Sequence, residues 1–106
     1  MKIEVRFREL ETSVALQSHA ERQVHFHLSR FGSELSSVVV HLSPVKGSTL
    51  TLCKVTVRGA RLRGTTLSLQ SNDPVTDLAD LLERAGREVG LELDGVRGEM
   101  LRGKSS

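Results

Sequence analysis

Between Leu35 and Asn72 the chain carries five cationic side chains, Lys46, Lys54, Arg58, Arg61 and Arg63, and not one Asp or Glu. Cations without carboxylates beside them suit the holding of an extended polyanion. Each phosphate contact releases a counterion and steepens the salt dependence of binding by about 0.7 to 0.9 on a log–log plot. The candidate contact residues along the whole chain are Arg22, Arg30, Lys54, Arg58, Arg61, Arg63, Arg84 and Arg87. Arginine dominates this set, and its planar fork matches phosphate oxygens in a way a lysine ammonium does not. Contacts of this kind position a nucleic acid without reading its bases. The same charges equally serve to keep strands soluble and to block edge pairing.

The flanking segments sharpen the contrast. Residues 1–34 hold five basic and five acidic side chains, and residues 73–106 hold five and eight, so the middle is +5 and the end −3 within a net charge of +2. Such segregation favours a polyanion over one face and opposes docking on another. With three Phe and no Trp or Tyr, the chain offers charge rather than a base-stacking platform, and folded RNA would be met by shape.

Other chemistry finds little support. His25 and His27 lie about 200° apart around a helix of period 3.6, which does not suit a shared metal. His27 falls in an apolar stripe and is expected as a packed core histidine, His25 as a solvated one, and the alternation around His41 turns it away from both. No nucleophile motif, phosphate loop or carboxylate pair with a nearby histidine occurs. The expectation is a protein that is not an enzyme and has no metal, no cofactor and no small-molecule substrate. The one cysteine, Cys53, stands on the apolar side of a strand and reads as a small buried side chain. No apolar run is long enough to cross a bilayer, and Met1-Lys-Ile-Glu-Val-Arg6 interleaves charge where a signal peptide needs continuous apolarity, so no membrane partner and a cytoplasmic location are expected.

The elements that must position these cations follow from periodicity. Ile3, Val5 and Phe7 alternate with charged residues in a first strand over Lys2 to Arg8. Leu16, Ala20, Val24, Leu28 and Phe31 then recur at helical spacing behind a Thr12 or Ser13 cap, giving a helix of about nineteen residues that Gly32 stops. A three-stranded antiparallel meander occupies Glu34 to Asn72, with alternation at Val38/Val40/Leu42, Cys53/Val55/Val57 and Leu67/Leu69. Asn72 or Asp73 caps a second helix with Pro74 in its first turn, and Val75, Leu78, Leu81, Leu82, Ala85 and Val89 form its apolar face. Gly86 and Gly90 each cost about 1 kcal/mol against Ala, so the helix is expected to end near Gly90.

The result is an α+β fold of order β-α-β-β-β-α, a four-stranded mixed sheet with two helices on one face, the first and second strands parallel. Residues 1–93 read as one domain and 94–106 as a flexible tail. Lys2, Glu4, Arg6, Val39, His41, Lys54, Thr56, Arg58, Thr66, Ser68 and Gln70 should line the uncovered face.

In this element order, and in the second helix Asp73-Pro-Val-Thr-Asp-Leu-Ala-Asp-Leu-Leu-Glu-Arg-Ala-Gly-Arg-Glu-Val89, the chain resembles the ribosome hibernation-promoting factor and ribosome-associated inhibitor family, the sigma-54 modulation proteins. Leu78, Leu81, Leu82, Ala85 and Val89 match the family's apolar positions, and Arg84 and Arg87 fall where it carries basic residues. Val75 stands in place of the family's aromatic, and Gly90-Leu-Glu-Leu-Asp94 in place of further basic residues. The resemblance implies a protein of the short form that docks on the RNA of the small ribosomal subunit and silences translation in stressed cells. The departures shift the expected contact toward the meander. Oligomeric state leaves no mark in the sequence. The alternative is a protein-interaction module that uses an exposed strand edge, and salt-insensitive binding would distinguish it.

Overall fold

Alternation decides the sheet. In β2 (Ser37–Pro44) Val38, Val40 and Leu42 are buried, and in β3 (Thr51–Arg58) Cys53, Val55 and Val57 are buried, so the residues between them face the other side. With β1 (Lys2–Phe7) and β4 (Thr65–Ser71) they form one sheet of order β1-β2-β3-β4, in which β1 and β2 are parallel and the remaining pairs antiparallel. The computed structural model describes residues 1–62 and 64–105, with side chains as far as residue 95.

The first helix, α1 (Val14–Leu28), starts where Ser13 accepts a bond from the Leu16 N–H at 3.2 Å. It is 15 residues long, shorter than the spacing predicts. A 3-10 segment, Ser29–Glu34, takes over, and Gly32 reverses the backbone at φ 47, a conformation that carries a penalty for any residue with a Cβ. That reversal delivers Leu35, 2% exposed, into the core ahead of β2.

The second helix, α2 (Pro74–Ser105), is capped by Asp73, one of the two residues that the sequence offers for the role. The Asp73 carboxylate accepts from the Thr76 hydroxyl at 2.8 Å and its carbonyl from the Asp77 N–H at 3.1 Å. Ser71 accepts from the Asp73 N–H at 2.9 Å and donates to the Asp77 carboxylate, tying the end of β4 to the first turn. The helix does not end near Gly90. It continues to Ser105 and so takes in most of the stretch expected to be a tail. Two features outweigh the glycines. Leu93 extends the buried stripe, and Gly86 sits where a Cβ would approach the His27 carbonyl oxygen to 3.1 Å, so the missing side chain lets the helices close on each other.

Both helices cover one sheet face, and a single aliphatic core contains Val24 and Leu28 of α1, Leu78, Leu82 and Val89 of α2, and the inward residues of β2 and β3. Burial of each large side chain stabilises by roughly 1.5–3 kcal/mol. Contacts between the helices advance in step, His19 against Val75, His27 against Gly86 and Phe31 against Gly90, so α1 and α2 lie side by side and parallel. Cys53 is fully buried, and burial, aided by the Asp77 charge, pushes its thiol up to about 11. Among the described residues no helix is long and apolar enough to cross a membrane.

Candidate nucleic-acid interface

The helices leave the second face of the sheet uncovered, and strand register arranges its side chains in rows. Lys2, Ser37 and Arg58 form one row, Glu4, Val39, Thr56 and Thr66 the next, and Arg6, His41, Lys54 and Ser68 a third. Lys54 and Arg58 are exposed. Four positions apart on one strand, they stand roughly 13 Å from each other at about 3.3 Å per residue. Glu4 is the one carboxylate on these rows, and it pairs with Arg6 at 2.8 Å.

The end of β3 is held tightly. The Arg58 carbonyl accepts from the Ser36 N–H at 2.8 Å and the Ser36 hydroxyl at 3.1 Å, and Leu62 N–H closes the following turn on the Gly59 carbonyl at 3.2 Å. Arg61 projects exposed from that turn; Arg63 lies outside the described residues. Beside the turn is a hollow of about 400 Å³ lined by Thr56, Arg58, Gly59, Leu62, Gly64 and Thr66. The Thr56 and Thr66 hydroxyls are 3.5 Å apart, at the far limit of a hydrogen bond, which leaves both able to donate to an incoming acceptor.

The remaining candidates sit on the helical side of the molecule. Arg22 and Arg84 are exposed on α1 and α2. Arg30, in the 3-10 segment, stacks its guanidinium 4.8 Å from the centroid of Phe31. Arg87 donates to Glu83 at 2.7 Å, and this bond and charge hold the Glu83 carboxyl below its usual range. Register thus places Lys54 and Arg58 on the uncovered face with Arg61 in the turn that follows, whereas Arg22, Arg84 and Arg87 lie on the helices that cover the opposite face and Arg30 in the 3-10 segment between α1 and β2. Arg87 already has a carboxylate partner.

The histidines divide likewise. His25 is exposed. His27 is not a core residue: α2 packs against its backbone through Gly86, which leaves the imidazole half-buried at the rim, edge-on to Phe26 with centroids 4.9 Å apart. His19 joins the helices by donating from Nε2 to the Val75 carbonyl at 2.6 Å. His41 lies on the uncovered face between Arg6 and Lys54, a placement its alternation indicates but whose significance only register reveals. Phe26 is 80% exposed beside Arg22 and Arg30 on the stripe that helical spacing defines. Among the described residues no three His, Cys, Asp or Glu side chains gather as a metal site.

Comparison with solved structures identifies this architecture. A ribosomal subunit interface protein from Coxiella burnetii superposes with a TM-score of 0.72 at 16% identity, over 85% of this chain and 94% of that one. The N-terminal domain of Protein Y from Thermus thermophilus does so with a TM-score of 0.70 at 20% identity, over 84% and 96%. The chain has their fold. No protein-family model and no curated protein sequence matches it. The fold implied by the sequence resemblance is thus the one found, a four-stranded mixed sheet backed by two helices.

Proposed function

We propose that this chain is a ribosome-binding inhibitor of translation, a non-enzymatic hibernation factor of stressed cells, in which residues 1–93 form the docking domain. Its partner is RNA of the small ribosomal subunit, and the contact runs over the uncovered sheet face and the β3–β4 turn through Lys54, Arg58, Arg61 and Arg63. Arg22, Arg30 and Arg84 form a secondary cationic rim on the helical side. One observation carries the reading: β2, β3 and β4 present Lys54 and Arg58 on an open face and contain no carboxylate at all. Support also comes from the fold shared with a ribosomal subunit interface protein and from the resemblance of the second helix.

The test is co-sedimentation with purified ribosomes at two ionic strengths, comparing wild type with Arg58→Glu/Arg61→Glu/Arg63→Glu. The triple variant is expected to lose binding with its melting temperature nearly unaltered. Wild-type affinity should fall with added salt with a slope of about −2 to −3.6 if three or four phosphates are contacted. Unchanged co-sedimentation of the variant would remove the meander from the interface. A second reading, a protein-interaction module using a strand edge, draws on the uncharged sequence of the edge strand β4, Thr65–Ser71. It predicts binding to a protein partner that salt leaves intact.

A further inference from the structure

On the uncovered sheet face, three basic side chains from three strands share one row. Arg6 of β1 lies opposite His41 of β2, and His41 lies opposite Lys54 of β3. Adjacent strands are about 4.8 Å apart, so the two long cations rise from backbone positions roughly 10 Å apart with the imidazole between them. A phosphate above His41 is within reach of both flexible side chains: the Arg6 guanidinium gives Nη2 to Glu4 and keeps its other N–H donors for the phosphate, and the Lys54 ammonium adds a point charge. We propose that Arg6, His41 and Lys54 form a phosphodiester-binding site for RNA, in which His41 takes up a proton as the phosphate seats. This rests on the RNA-docking reading above and adds to it two residues, Arg6 and His41, and a proton.

The groups around His41 define the linkage. On β2 its same-face neighbours are Val39 and Ser43, neither of which titrates. From β1 it faces Arg6 and Glu4, and from β3 it faces Lys54, with Thr56 and Leu52 neutral beside it. Partial burial first, then Arg6, then Lys54, hold its pKa below the ordinary 6.5, and Glu4 alone opposes them. Glu4 is shared with Arg6 through their ion pair. The free protein therefore keeps His41 neutral at neutral pH. A bound phosphate offsets both cations and accepts a hydrogen bond from the ring, and each effect favours the imidazolium. The complex holds more protons than the separate partners, so affinity rises as pH falls through the interval between the lowered free value and the higher bound one.

The experiment uses purified small ribosomal subunits and fluorescently labelled full-length protein, with affinity measured at pH 7.5 and 5.5 at fixed salt. A bound-state rise of about one pKa unit corresponds to a tenfold gain in affinity on acidification. That is the upper limit, so wild type is expected to gain several-fold between the two pH values, and His41→Gln about a third of that or less, which also corrects for His19, His25 and His27. Arg6→Gln/Lys54→Gln should bind more weakly at pH 7.5, with the salt slope reduced by about 1.4 to 1.8 for two lost contacts. The His41 ring proton signals, followed by NMR in wild type, should titrate at higher pH once an RNA hairpin is bound; this readout needs no variant to fold. Equal pH gains in wild type and His41→Gln, with an unshifted His41 titration, would overturn the site while leaving RNA docking intact. Failure of wild type to bind subunits at any pH or salt would overturn both.

Discussion

Replacing Gly59 by Ala is expected to be among the most damaging single-methyl additions in this chain. The added methyl would overlap the Glu34 carbonyl oxygen and come within 3.2 Å of Leu62 Cδ1, and the first of these obstacles is backbone. Relief requires a displacement of about an ångström or more between the start of the β3–β4 turn and the end of the 3-10 segment. That movement pulls on the two bonds from Ser36 to the Arg58 carbonyl and on Leu35, which is 2% exposed two residues before β2. Two weakened hydrogen bonds cost about 0.5–1.5 kcal/mol each, and partial withdrawal of one leucine adds about 1 kcal/mol or more. The sum is roughly 2–4 kcal/mol out of a typical 5–15, corresponding to a fall in Tm of at least about 10 °C for a domain of this size. Urea unfolding followed by circular dichroism measures it directly, and a change below about 0.5 kcal/mol would show that the close approach of Glu34 to Gly59 does not exist. Because Arg58 and Arg61 flank this glycine, the variant should also weaken ribosome binding without removing any charge.

Gly90→Ala should act in the opposite direction, since a Cβ there meets only the Phe31 ring at 3.7 Å, an ordinary contact, while helix propensity improves by about 0.5–1 kcal/mol; thermal unfolding checks it, and destabilisation would refute the helix running through this position. Cys53, fully buried with its thiol raised to about 11, should resist a thiol-reactive disulfide at pH 7.5 and react at the rate of global unfolding, becoming fully labelled in guanidinium; labelling of the native protein within seconds would contradict its burial.

The parts of the fold visible in the sequence were those set by local rules. Asn72-Asp73-Pro74 announces the start of α2 and Thr12-Ser13 that of α1, the structure choosing Asp73 and Ser13 as the caps, and the alternation around Val38, Val55 and Leu67 announces the meander. What local rules misjudge is where packing intervenes. Gly86 weakens a helix in isolation, yet here it is the point at which α1 and α2 approach, so the helix passes through it and through Gly90. His27 lies on the apolar stripe by angle, but the partner helix meets its backbone and leaves the ring at the rim. For the candidate interface, periodicity assigns each cation to a face of its own element. It does not show that the faces of strands and helices end on opposite sides of the molecule, nor that Arg87 is taken by Glu83. Likewise the trio Arg6, His41 and Lys54 depends on strand order and register, which emerge only when segments distant in sequence are aligned.

The borders of the sheet are unequally guarded. β1 shows Lys2, Glu4 and Arg6 to the solvent, charged side chains that would lose hydration beside an approaching strand, whereas β4 offers Thr66, Ser68 and Gln70 and no charge. In a crowded or partly unfolded population, therefore, lateral growth of the sheet has one permissive rim. Association of copies by strand pairing would be lopsided, joining β4 to β4 and closing after two molecules rather than propagating into a fibre, because the far rims of such a pair are both the charged ones.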